Sequence, residues 1–247
     1  MGEWVEARVV KNKQWNERLF SLYFEAAVKP FKAGQFVRVA LDIDGERVGR
    51  PYSCVNTPEE RPFEIYFNIV AEGPLSPRLA ALRAGDVLWA WDSGNGLLTI
   101  DAVPEVPKLW MFATGTAVGP FLAILKSAAT WARFQKLVLV HAVCFADELT
   151  FQETIQQVAA RHGTQFVYVP IVSREPAVSA LTGRIPALIE SGEFESRVGV
   201  ALDAADSHVM LCGNSGMIKD TSLLLEGRGM KKHTRREPGH ISTEKYH

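Results

Sequence analysis

Apolar positions follow two different rhythms along this chain. Over residues 1–101 they come in short runs rich in Val, Phe and Tyr. Residues 4–12, 19–26, 34–41, 51–56 and 63–70 read this way, with the imperfect alternation of strands that curve in a small barrel. Turn signals part them at Lys29-Pro30, Asp44-Gly45 and Thr57-Pro58. One helix interrupts the series. Ser76-Pro77 suits a cap and first turn, and RLAALRA carries the helix to Gly85. Strands over 86–91 and 97–101 complete this half.

A short segment with two prolines, DAVPEVPK, ends the first rhythm. From residue 102 onward, apolar strand patterns alternate with helical ones. Strands are predicted over 109–114, 136–143, 165–172 and 207–214. Helices are predicted over 122–134, 148–162, 185–194 and 214–229. Such alternation predicts a parallel sheet covered on both faces. The expected division is therefore a β-barrel domain at 1–101 and an α/β domain at 102–247.

Composition narrows the class without changing the picture. The chain is 47% hydrophobic and 22% charged, with a formal net charge of -1. That supports a sizeable core and gives no sign of disorder or of a dedicated nucleic-acid binder. Cys54, Cys144 and Cys212 stand far apart and form no CxxC pair. They suit reduced thiols better than a disulfide framework or a metal site. No run approaches the roughly 20 apolar residues of a membrane span, and the start lacks the apolar core of a signal peptide. The expectation is a cytoplasmic protein with no metal, membrane or nucleic-acid partner.

Two loops carry candidate chemistry. Residues 113–120, ATGTAVGP, follow a predicted strand and open a helix. So do residues 211–216, LCGNSG. Small residues let a phosphate approach backbone N–H groups at a helix start, and the carboxyl ends of parallel strands are where such sheets bind ligands. Each loop alone fits an ordinary tight turn equally well. Arg174 after Ser173, and Arg184 after Thr182-Gly183, offer two guanidinium forks for a phosphate or form a solvated surface pair. Arg50-Pro51-Tyr52-Ser53 places together a cation, a flat ring and a hydroxyl, which suit a pyrophosphate, ring stacking and a ring nitrogen. It also fits an edge-strand turn. Gly73-Pro74-Leu75-Ser76-Pro77 suits a second phosphate or a simple cap. Near the end, Arg228, Lys231, Lys232, Arg235 and Arg236 make a basic stretch, which can steer an acidic partner or simply stay solvated.

Taken in order, RPYSCVNTP, LSPRL, LWMFATGTAVGPFLAIL, SRE, LTGRIPALIESG, SHVMLCGN and RREPGHISTEKYH resemble the ferredoxin–NADP reductase family, in particular its enterobacterial-type flavodoxin/ferredoxin reductases. The resemblance spans essentially the whole chain. It implies an antiparallel β-barrel FAD domain followed by an α/β Rossmann-like NADP-binding domain. It implies hydride transfer between NADPH and FAD, with single electrons passing to or from ferredoxin or flavodoxin, in a monomer. A flavin reductase, or an electron supplier to another acceptor, is the alternative that the same modules allow.

The family's roles carry over residue by residue. The resemblance implies that Arg50, Pro51, Tyr52 and Ser53 contact FAD, with Tyr52 against the ring and Ser53 near its N5. Phe67, Asn68, Ile69 and Val70 correspond to the strand lining the flavin and its diphosphate, and Leu75, Ser76 and Pro77 to the second diphosphate contact. Thr116 faces both cofactors. Ser173, Arg174 and Arg184 correspond to the 2′-phosphate site of NADP. Cys212 corresponds to the cysteine near the nicotinamide, Asp220 to a further nucleotide contact, Glu244 to the terminal acid, and Tyr246 with His247 to the flavin-covering tail. Two positions depart from the pattern. Cys144 stands where relatives often carry a third phosphate-binding arginine, and His247 where they often end in tryptophan.

Overall fold

A computed structural model describes residues 2–246, so the expectation for His247 lies outside the described residues. The first half forms β1 (Trp4–Gln14), β2 (Leu19–Ala26), β3 (Phe36–Ile43), β4 (Glu46–Ser53), β5 (Phe63–Asn68), helix α1 (Ser76–Ala81) and β6 (Val87–Trp91). These strands make one antiparallel sheet in the order β4-β3-β6-β1-β2-β5. Its edge strands β4 and β5 approach each other, and one bridge, Cys54 to Ile65, joins them. The sheet is thus a half-closed barrel. Its interior holds Leu22, Phe24, Val37, Val39, Phe63, Ile65 and Leu88, each fully buried.

The second half forms β7 (Lys108–Thr114), α2 (Gly119–Lys126), α3 (Ala128–Arg133), β8 (Lys136–Val143), α4 (Gln152–His162), β9 (Phe166–Val172), β10 (Leu181–Thr182), α5 (Ile185–Glu190), α6 (Glu193–Val198), β11 (Ser207–Gly213), α7 (Ser215–Gly227) and β12 (Ile241–Lys245). The sheet order is β10-β9-β8-β7-β11-β12, and every pairing is parallel. Apolar residues run unbroken through β7 and β11 because both faces of the sheet are covered. The chain steps outward from β7 to β10, then returns to the other side of β7 with β11. That reversal opens a crevice at the carboxyl ends of β7 and β11. Leu19, Val55 and Tyr66 of the first half share a core cluster with Phe121, Leu122 and Phe151 of the second.

The structure departs from the periodicity in six places. The helix expected over 122–134 is two helices, because Ser127 turns extended (φ -76°, ψ 125°). Side chains take the carbonyls this break releases: Thr130 Oγ1 donates to Ile124 O and Trp131 Nε1 to Leu125 O, both at 2.7 Å. The helix expected over 185–194 divides at Gly192, whose φ of +73° is left-handed. Residues 97–101 form no strand: the chain turns into a short 3-10 helix over Ile100–Ala102, and the Arg133 guanidinium takes the Ile100 carbonyl. Expected strand 51–56 belongs to β4, which begins at Glu46 and ends at Ser53. The helix expected from 148 begins at Gln152, after a left-handed Phe151 (φ 58°). The terminal strand β12 had no clear signature, and tertiary pairing with β11 creates it. Among the described residues, no helix is long and apolar enough to cross a membrane.

Candidate active site

On the barrel side, the site begins at the seam between β4 and β5. Tyr52 meets Phe67 edge-on across it, with ring centroids 5.8 Å apart. Arg50 and Pro51 are exposed and Tyr52 is half-buried. Burial pushes the Tyr52 phenol up to about 12. Ser53 is buried, and its Oγ has no hydrogen-bond partner among the described residues. An unsatisfied buried hydroxyl costs roughly 1–3 kcal/mol, so the position is built to receive a polar atom. Beyond β5, Asn68 and Ile69 are half-buried and Val70 is exposed. Val70 N donates to Ser76 Oγ at 2.9 Å, which folds residues 70–76 into a turn ahead of α1. Leu75 anchors that turn in the core, and Pro77 stands in the first helical turn.

The crevice at the strand ends is a cleft of about 720 Å³. It gathers Thr116, Ser173, Arg174, Arg184, Asp220 and Tyr246, with Asn68 reaching it from the barrel. Seven expected site residues, drawn from loops far apart in sequence, therefore meet in one space. Among the described residues, neither Arg174 nor Arg184 has a carboxylate within ion-pair distance. Two unneutralised guanidinium groups facing a cleft are a ready site for a phosphate. Cys144 also lines the cleft. Its backbone N–H is already committed, donating to Glu148 Oε2 at 2.9 Å.

Three further positions shape the site beyond the residues that the sequence offered as ligands. Thr114 ends β7, and its Oγ1 accepts from Asn214 N at 2.9 Å. One hydroxyl thereby locks the two glycine loops together. A Cβ on Gly213 (φ +128°) would stand 2.1 Å from that oxygen. Gly213→Ala is therefore expected to separate the loops and to cost about 2–3 kcal/mol of stability, from left-handed strain plus a lost hydrogen bond. Urea denaturation of the variant checks this, and an unchanged midpoint would refute it. His141 is the second position, fully buried with Nε2 at 3.1 Å from Gly115 O. Burial lowers it to about 4, so its ring is neutral and supports the loop. Gly96 is the third, its α-carbon lying against the Glu244 carboxylate. A threonine at a strand end, and the turn pair Asn95-Gly96, were the only signals in the sequence.

Cys212, Glu244 and Tyr246 come together through β11 and β12. Cys212 and Glu244 are register partners on adjacent strands. Cys212 is wholly buried outside the cleft lining, and burial, then the nearby Glu244 carboxylate, pushes its thiol well up. It stands as a neutral thiol behind the site. Burial raises Glu244 to about 7. Tyr246 N donates to Gly213 O at 3.0 Å, which seats the tail beside the second loop. Its phenol is pushed up by burial, then by Cys212, and lies on the Ser53 side without closing a bond that satisfies that hydroxyl.

The basic stretch divides. Arg228 pairs with Glu195 at 2.9 Å and serves the fold. Lys231, Lys232, Arg235 and Arg236 are exposed. They precede β12, whose Ile241 pairs with Val209 while Lys245 pairs with Gly213. At ~3.3 Å per residue, the cluster lies one strand length away from Tyr246, at the amino end of the sheet.

Comparison with known proteins agrees with this architecture. Residues 7–90 match the model of the oxidoreductase FAD-binding domain, and residues 111–222 that of the oxidoreductase NAD-binding domain. A flavodoxin/ferredoxin–NADP reductase of Escherichia coli (strain K12) is 49% identical over 247 residues, covering 100% of both chains. A ferredoxin–NADP reductase of Pseudomonas aeruginosa is 34% identical, covering 96% of this chain and 95% of its own. The crystal structure of a ferredoxin NADP+ reductase from Neisseria gonorrhoeae with bound FAD and NADP superposes with a TM-score of 0.92 at 29% identity, covering 98% of each chain. Its antiparallel half-barrel, its parallel α/β domain and the cleft between their loops all place the chain in one group: it belongs to the flavodoxin/ferredoxin–NADP reductase family.

Proposed function

We propose that this protein is an FAD-dependent reductase that passes electrons between NADPH and a ferredoxin or flavodoxin. The observation that carries this reading is the cleft in which two unpaired arginines, both glycine loops and the Tyr246 tail converge. FAD, when bound, supplies the two-electron to one-electron conversion. The chain's own residues bind, orient and shield. Arg50 and the turn at Leu75, Ser76 and Pro77 hold the diphosphate, with Pro51, Ile69 and Val70 along its path. Tyr52, Phe67 and Tyr246 flank the ring. The partnerless Ser53 hydroxyl is the group that fits a ring nitrogen. Asn68 and Thr116 stand between the two cofactor spaces. Ser173, Arg174 and Arg184 take the 2′-phosphate, and Asp220 lies along the nucleotide. Glu244 holds a proton beside the rings, and Cys212 supports its strand.

We place the domain boundary between residues 101 and 102, ahead of the two prolines. The working assembly is a monomer, because seam and cleft are both built within one chain. Three free thiols suit a reducing compartment such as the cytoplasm.

Anaerobic stopped-flow absorbance tests the reading. Flavin bleaching is expected with NADPH at far lower concentrations than with NADH. A purified protein that carries no flavin and takes up none on addition of FAD would sink it. Equal response to both nucleotides would keep the flavoenzyme and show that a cysteine at 144 leaves too little charge for discrimination.

A further inference from the structure

Glu244 is half-buried, and an element of the other half of the molecule covers one side of its carboxyl. The loop after β6 carries Ser93-Gly94-Asn95-Gly96, and its end is pinned. Asn95 N donates to Phe36 O at 2.9 Å and Phe36 N to Asn95 O at 2.8 Å. Gln35 Nε2 donates to Gly96 O at 3.3 Å. Gly96 has a φ of +107°. A Cβ there would stand 2.9 Å from Glu244 Oε2 and 3.1 Å from Phe36 Cδ1. Glycine is thus required twice, for the backbone conformation and for the close approach.

Among the described residues, the groups facing Glu244 offer no counter-charge. Cys212 faces it from β11 and Tyr246 from its own segment, and both are negative when ionised. The barrel loop presents Gly96 backbone and the Phe36 ring. Lys245 is the next residue on the strand and is exposed, so it points to the opposite face. Ionised Glu244 must therefore be stabilised by water, and Gly96 with Phe36 keeps water from one side of it.

We propose that Gly96 is a positioning residue for Glu244: set against the carboxyl across the junction of the two halves, it excludes water there and so determines how tightly Glu244 holds its proton. The inference rests on the reading of Glu244 as the acid beside the cofactor rings. It adds that the affinity of this acid belongs to the packing of the barrel loop on β12. Any displacement of the loop lets water reach the carboxylate and favours the charged form.

The test is infrared difference spectroscopy of the oxidised holoenzyme across a pH series, with Glu244→Gln identifying the carboxyl band. In the unaltered protein that band is expected to titrate near pH 7, as burial dictates. Gly96→Ala pushes the carboxyl toward water, and its midpoint is expected to fall by about one pH unit or more, a common size for a desolvation effect. The pH dependence of flavin reduction by NADPH should move by the same amount. Alanine at φ +107° is strained, so Gln35→Ala serves as the second variant. It removes one of the loop's ties without touching the glycine and is expected to move the midpoint in the same direction by a smaller amount. Midpoints unchanged in variants that retain FAD with a normal visible spectrum would overturn the proposal. So would the absence of a band sensitive to Glu244→Gln near pH 7. Failure of NADPH to bleach the flavin would instead sink the functional reading, and the band remains measurable because it needs no turnover.

Discussion

Replacing Arg174 and Arg184 together by alanine is expected to raise the KM for NADPH by about two to four orders of magnitude, while that for NADH stays within a few-fold. A hydrogen bond to a charged group contributes roughly 1.5–3 kcal/mol, and each 1.4 kcal/mol is about tenfold in affinity. Two such residues acting on one phosphate account for the range. The effect is confined to NADPH because only that nucleotide carries the extra phosphate. Cys144 brings no charge, and its backbone N–H is held by Glu148. Steady-state kinetics with both nucleotides, using ferricyanide as a neutral choice of acceptor, measures the ratio directly. A double variant whose KM values rise equally for both nucleotides would show that these arginines serve the fold and not the phosphate.

The second large effect concerns Phe151, which joins the two halves. It sits at φ 58°, a conformation that costs a bulky side chain about 1–2 kcal/mol. Its ring is buried against Trp15, with centroids at 4.6 Å, and edge-on against Tyr66 at 5.0 Å. The adjoining Thr150 Oγ1 donates to the Tyr66 hydroxyl at 2.8 Å. Burial of the ring between residues of the barrel offsets the backbone strain. Phe151→Ala is expected to destabilise the protein by about 3–5 kcal/mol, the usual loss for a buried phenylalanine. Phe151→Gly is expected to be the milder substitution, by roughly 1 kcal/mol. Glycine relaxes the left-handed backbone, and it is also tolerated better than alanine at the position preceding a helix, here α4. Urea denaturation followed by tryptophan fluorescence gives the ordering. A glycine variant no more stable than the alanine variant would remove backbone strain from the account.

The elements most legible in the sequence were those whose signal is local. Strands β7 and β11 announce themselves as unbroken apolar runs because each is buried on both faces. Asn214 caps α7 through its own side chain, accepting from Gly216 N and Met217 N, as its residue type leads one to expect. The break at Ser127 is different. The apolar period continues through it, and only the partners Thr130 and Trp131 make an interrupted ladder tolerable. Likewise, Leu97 to Asp101 read as a strand by composition, yet the chain turns into a 3-10 helix at Ile100, whose carbonyl goes to Arg133.

The sequence by itself determined the order of the two folds, the two glycine loops and the family. All of these rest on residue types at short spacing, where backbone preference and side-chain chemistry act directly. Only the tertiary structure decided which of those groups share a cleft, that Cys212 stands behind the site, and that the basic stretch before β12 lies at the far end of the sheet. It also decided that Thr114 ties loops 100 residues apart and that Gly96 seals Glu244. The physical reason is common to these cases. Desolvation, register and close approach are properties of pairs of segments brought together by the sheet, and a residue carries no local mark of the partner it will meet.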